Sequence, residues 1–202
     1  MSWRLFAALE LPPELQLQLA ALQADLKAAA PARSVRWVRS EGIHLTLKFY
    51  GDVAAERLPE LWAGLARAAS ASAPMAAQFA LAVEGVGVFP NAAHPSVVWA
   101  GVTGALAPLQ RLQAAVEDEA LALGFKPEGR AYVPHLTLGR VNDGLPPEDV
   151  RRLMDSVGRA RGRQCGGFTP EHLSLMNSEP GAGGSVYSQL STAPLAPRTR
   201  PG

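Results

Sequence analysis

The chain has 202 residues, room for one domain or two small interlocked lobes, and 48% of them are hydrophobic, enough to bury a sizeable core. A net charge of +1 excludes a general polyanion binder, so any contact with RNA or DNA must be local. The single cysteine, Cys165, excludes an internal disulfide or a cysteine-rich metal site, and no run reaches the roughly 20 apolar residues that span a bilayer. The first ten residues have neither the apolar core nor the cleavage site of a signal peptide, so a cytoplasmic protein is expected.

In chain order, residues 3–9 read as a first strand, closed by Leu11-Pro12-Pro13. Pro13 suits the first turn of a helix, where a missing N–H costs nothing. Leu15, Leu19, Leu22 and Leu26 follow at helical spacing until Pro31. Residues 35–38 form a short extended piece with Arg36 and Trp37. Glu41-Gly42 turns the chain into a strand over 43–50. Side chains alternate faces along a strand, so Ile43, Leu45, Leu47 and Phe49 are expected on the core side and His44, Thr46 and Lys48 on the other.

A helix is expected over 55–69 and a strand over 78–88, then a loop around Phe89-Pro90-Asn91 and His94-Pro95. Residues 96–102 read as a strand pairing back, and 106–123 as a long helix capped by Gly124. A connector over 126–133 carries Glu128, Arg130 and Tyr132 into a second strand containing His135-Leu136-Thr137-Leu138. A shorter helix over 148–157, a basic loop with Arg159, Arg161 and Arg163, and two strands over 168–176 and 185–190 complete the chain. Residues 193–202, with three prolines, are expected to form a flexible tail on a domain spanning 1–192.

The phrase His-Leu-Thr-Leu therefore occurs twice, each time in a strand, with His and Thr on the face opposite the leucines. One copy alone is an ordinary half-exposed strand. Two copies, one followed by Lys48 and one preceded by Arg130, point to a paired polar site. Two histidines facing one cleft suit concerted acid–base work near neutral pH, one ring neutral and one charged. Threonine hydroxyls can donate hydrogen bonds to a bound anion, and Lys48 and Arg130 supply positive charge. The set describes a phosphoester site. The residues do not say which histidine is acid and which is base. No third ligand stands at metal spacing near either copy, so neither a metal nor another cofactor is expected. Phe89, at a strand exit, is a candidate base-stacking platform, whereas Trp37, Trp99 and Cys165 are expected to pack and His94 and His172 to lie at the surface.

At these residues the sequence resembles the RNA 2′,3′-cyclic phosphodiesterases, also called 2′-5′ RNA ligases, of the two-histidine phosphoesterase superfamily. The resemblance runs from Arg4-Leu5-Phe6-Ala7-Ala8-Leu9 through Arg36-Trp37-Val38 and both His-x-Thr-x motifs to Leu173-Ser174-Leu175-Met176-Asn177-Ser178. It also covers Gly85-Val86-Gly87-Val88-Phe89-Pro90 and Val98-Trp99-Ala100-Gly101-Val102. It implies an α+β, bilobal, pseudo-twofold fold with two antiparallel sheets lining a central cleft and helices outside. It implies hydrolysis of RNA 2′,3′-cyclic phosphate ends to 2′-phosphates without a metal, with His44 as proton donor, His135 as acceptor, and Thr46, Thr137 and Arg130 on the phosphate. RNA ends or cyclic nucleotides would be the partners of a monomer. Main roles in 2′-5′ end-joining, or in binding RNA ends without catalysis, are the alternatives.

Overall fold

The computed structural model describes residues 2–76, 79–181 and 184–195. Strand β1 (Ser2–Glu10) is buried on both faces from Leu5 to Leu9, which marks it as a central strand. Helix α1 (Pro13–Ala29) begins on Pro13 as expected and buries Leu15, Leu19, Leu22 and Leu26. Strand β2 (Val35–Trp37) is followed by a single 3-10 turn, Ser40–Gly42, and by strand β3 (His44–Ala54). The expected helix at 55 starts with a 3-10 turn, Ala55–Arg57, and continues as α2 (Leu58–Ala76).

Strands β4 (Leu81–Pro90) and β5 (Pro95–Gly104) form a hairpin. The expected loop at Phe89-Pro90 is instead the end of β4, where Pro90 follows a cis peptide bond. The first residue expected in that strand, Gln78, lies outside the described residues. Helix α3 (Leu106–Ala122) closes at Gly124, whose φ of +80° is a left-handed conformation that glycine adopts without a steric penalty. Strand β6 (His135–Val141), helix α4 (Pro147–Arg159) and strands β7 (Gln164–Phe168), β8 (His172–Gly181) and β9 (Gly184–Pro194) follow. Strand β7 has no sequence signal because Gly166 and Gly167 interrupt its alternation. Packing passes the expected boundary at 192: Ala193 and Leu195 are buried, and residues 196–202 lie outside the described residues.

The strands run in the order β7-β4-β5-β6-β3-β1-β8-β9, with β2 also paired to β6. This order is a palindrome of roles about the β6/β3 seam. Along this order four strands lie on each side of it, with β2 as a ninth strand beside β6, and each side carries a pair of helices: α1 and α4 pack with β7 and β4, while α2 and α3 pack with β8, β9 and β3. The seam itself is a single register pair, Leu45 opposite Leu136. The chain crosses the seam repeatedly, so the two lobes interlock and neither is a contiguous half of the sequence. Both seam leucines are fully buried in the common core with Leu19, Leu61, Leu109 and Leu153 from the four helices.

Close approach of β2 to β6 depends on one glycine. A Cβ at Gly139 would lie 2.5 Å from Val35 Cγ1, so only glycine lets β2 lie against β6. Gln23 of α1 secures the junction from below, its amide donating at 2.8 Å to both the Val38 and the Leu138 carbonyls.

Candidate active site

The seam decides where the polar side chains go. Antiparallel pairing about Leu45 and Leu136 sets His44 across from Thr137 and Thr46 across from His135. Because the two leucines point into the core, these four side chains share the opposite face. Two motifs separated by 91 positions in sequence thus form one polar cluster, related by a pseudo-twofold axis through the seam.

Both imidazoles are held in the same way. His44 Nδ1 lies 2.8 Å from the Gly42 carbonyl oxygen, and His135 Nδ1 lies 2.8 Å from the Val133 carbonyl oxygen. A carbonyl can only accept, so each Nδ1 carries the proton and donates it. That fixes the tautomer: each Nε2 is a base when its ring is neutral and an acid when it is charged. In each case the holding carbonyl belongs to the residue two before the histidine, so the strand entry itself orients the ring.

The surroundings of the two rings differ. Phe6 stacks on His44 with centroids 4.6 Å apart, and Tyr187 meets it edge-on at 4.9 Å. Phe6, Ala8 and Met176 form a small second core beneath His44. Burial among these groups pushes the His44 pKa down to about 4; the Gly42 carbonyl opposes the shift and the nearby His135 adds to it. His135 instead meets Phe89 edge-on at 4.9 Å, and Phe89 leans on Trp99 at 5.0 Å. Sequence reasoning missed Phe6 and Tyr187. Phe6 lies in an unbroken apolar run without alternation, and Tyr187 comes from β9 with no local signal connecting it to His44.

Lys48 requires a correction. The register of β1 against β3 slips between Thr46 and Lys48, leaving Leu47 as an extra, bulged residue. After the bulge the faces exchange. Phe49, expected in the core, is 44% exposed and touches Phe6, while Lys48 is buried at 3% exposure on the opposite side. Its Nζ donates to Glu117 Oε1 at 2.9 Å and to the Lys126 carbonyl at 2.8 Å. Glu117 Oε1 also accepts the Glu128 backbone N–H at 2.8 Å. Lys48 is therefore no phosphate ligand; it anchors the connector that carries Arg130. A second anchor is the Tyr132 hydroxyl, which donates to the Thr46 carbonyl at 3.2 Å. Burial raises the Tyr132 pKa, so the phenol stays a donor.

Of the remaining expected site residues, Thr46 and Thr137 are half-buried on the cluster face and Arg130 is exposed in the connector. His94 and His172 are exposed, away from the cluster strands' seam. Cys165 is buried, and burial raises its thiol pKa, the opposite of what a nucleophile needs. Among the described residues no three His, Cys, Asp or Glu side chains gather closely enough to hold a metal ion, and no helix is long and apolar enough to cross a membrane.

Comparison with known proteins gives the family and the fold. The family model of LigT-like phosphoesterases matches residues 9–99 and 102–187. An RNA 2′,3′-cyclic phosphodiesterase of Methanothermobacter thermautotrophicus is 33% identical over 190 residues, covering 94% of this chain and 97% of that protein. A protein of the same name from Methanocaldococcus jannaschii is 28% identical over 188 residues, covering 93% and 98%. The crystal structure of TT0787 from Thermus thermophilus superposes with a TM-score of 0.71 at 28% identity, covering 95% of this chain and 97% of that one.

Proposed function

The chain belongs to the LigT-like phosphoesterases, and from that premise we propose that it hydrolyses RNA 2′,3′-cyclic phosphate ends to 2′-phosphomonoesters. The observation that carries the reading is the matched pair of imidazoles, each with Nδ1–H held by a carbonyl and Nε2 left for chemistry across a single-pair seam.

In this reading His135 Nε2 removes a proton from water as its oxygen attacks phosphorus. The bond from phosphorus to the 3′ oxygen breaks, and His44 Nε2 delivers its proton to that oxygen. The products are a 2′-phosphomonoester and a 3′-hydroxyl; proton exchange with solvent resets both rings. Thr46 and Thr137 donate hydrogen bonds to the non-bridging oxygens, and Arg130 adds charge from the connector as negative charge builds up. Phe89 holds the His135 ring and offers its outer surface to a base.

His44 rests neutral near pH 7, because burial holds its pKa near 4. Its proton must therefore come with the substrate. An anionic phosphodiester beside Nε2 favours the charged ring and offsets the desolvation that disfavours it. Substrate binding thus charges the acid.

The test is turnover of a nucleoside 2′,3′-cyclic phosphate in excess EDTA, with the product identified. A 2′-phosphate product is expected. His44→Ala and His135→Ala each lose on the order of 100- to 10,000-fold in kcat. A 3′-phosphate product reverses the assigned leaving oxygen. Near-normal turnover in either variant refutes the two-histidine assignment, and tight binding of 2′-phosphate ends with no turnover by the unmodified protein returns it to the non-catalytic class.

A further inference from the structure

An open groove of about 770 Å³ lies beside His44. Tyr187 forms the wall between them: its ring meets His44 at 4.9 Å and also lines the groove. Four arginines line it as well, Arg4 from β1, Arg36 from β2, Arg39 from the turn after β2, and Arg140 from β6. All four are exposed, and none forms an ion pair among the described residues. Asp52 stands across from Arg4 in the register of β1 and β3, yet the two do not pair.

Arg36 and Arg140 are directly opposite each other in the β2/β6 ladder. Like charges in that position destabilise a sheet. In a chain whose net charge is only +1, a concentration of four uncompensated arginines in one groove sets up a strong local field. Their planar guanidinium groups match the paired oxygens of phosphate. Phe49, exposed to 44% despite its apolar ring, and Tyr187 line the same groove. Cations and aromatic faces in one groove suit a single-stranded nucleic acid, whose backbone is anionic and whose bases stack.

We propose that this groove holds the RNA strand upstream of the cyclic end, with successive phosphodiesters on the arginines and bases against Phe49 and Tyr187. The inference rests on the reading given under Proposed function. There, His44 protonates the 3′ oxygen, which belongs to the nucleotide at the end of the strand. The strand must therefore leave the site on the His44 side. Tyr187 and the arginine groove lie on that side. The ribose end sits at the seam, and the chain runs past Tyr187 toward Arg36 and Arg140.

The test compares a nucleoside 2′,3′-cyclic phosphate with a decaribonucleotide ending in the same group, each across a salt series. For the unmodified protein, log kcat/KM of the oligomer falls more steeply with log salt than that of the mononucleotide, by about 0.7 per phosphate contact on a single strand. Arg36→Gln/Arg140→Gln loses about tenfold more kcat/KM on the oligomer than on the mononucleotide, and its oligomer salt slope is shallower. Equal losses on both substrates, or no loss on the oligomer, overturn the proposal. If the unmodified protein turns over neither substrate, the proposed reaction fails, and the groove is decided by fluorescence anisotropy of a labelled decaribonucleotide with a 2′-phosphate end. There, weaker binding by the double variant supports the groove, and binding as tight as that of the unmodified protein overturns it.

Discussion

His44 and His135 carry the same hydrogen bond, so what distinguishes them is the apolar company of His44. Phe6 and Tyr187 strip water from that ring, and desolvation is the leading cause of its low pKa. The His44 ring should titrate near pH 4 by NMR in the free protein and higher when inorganic phosphate fills the site. Tyr187→Ala, by readmitting water, should move the free value back toward 6.5, whereas Tyr187→Phe should leave it near 4. A free-state value near 6.5 for His44 would contradict burial as the controlling cause.

Individual strands and the connector depend on details that only neighbouring elements impose. The bulge at Leu47 turns Lys48 under the sheet, where it neutralises Glu117 and holds Lys126 while Glu117 holds Glu128. Removing one partner of such a pair leaves the other charge buried alone. Lys48→Met should therefore cost about 3 kcal/mol in urea unfolding and speed amide exchange at Glu128, and Lys48→Met/Glu117→Leu should recover much of that stability. At the β2/β6 contact, Gly139→Ala should cost about 1–3 kcal/mol through the clash with Val35, and Val35→Ala should partly relieve it. A double-mutant cycle giving no coupling between these two positions would show that β2 shifts freely on β6.

For the whole molecule, the buried histidine couples stability to pH. His44 has a lower pKa folded, about 4, than unfolded, 6.5, so between these values the unfolded chain binds more protons. Stability from this group is fully present above pH 6.5 and is lost as pH falls through 4. The loss amounts to about 3 kcal/mol, since each pKa unit is worth about 1.4 kcal/mol. His44→Asn should flatten the stability profile between pH 4 and 6.5, a change visible in urea midpoints measured at both ends. An unchanged acid profile would place the proton-linked loss on other groups.

How much of this was legible depends on the range of the physics. Alternation along the chain, helical spacing of Leu15, Leu19, Leu22 and Leu26, and Pro and Gly signals at Pro13 and Gly124 are local, and they determined the helices, most strands and the shared face of His44 and Thr46 and of His135 and Thr137. The duplicated motif, by its types and its repetition, pointed to a histidine pair as the candidate site. The tertiary structure decided what depends on partners distant in sequence. Pairing with β1 forced the bulge that took Lys48 out of the cleft and put Phe49 into it. Convergence of β1 and β9 buried His44 and made the two histidines unequal. The meeting of β1, β2 and β6 gathered four arginines scattered between positions 4 and 140 into one groove. A strand's own residues set its period, but which face meets water, and which charges become neighbours, is settled by the strands that pair with it.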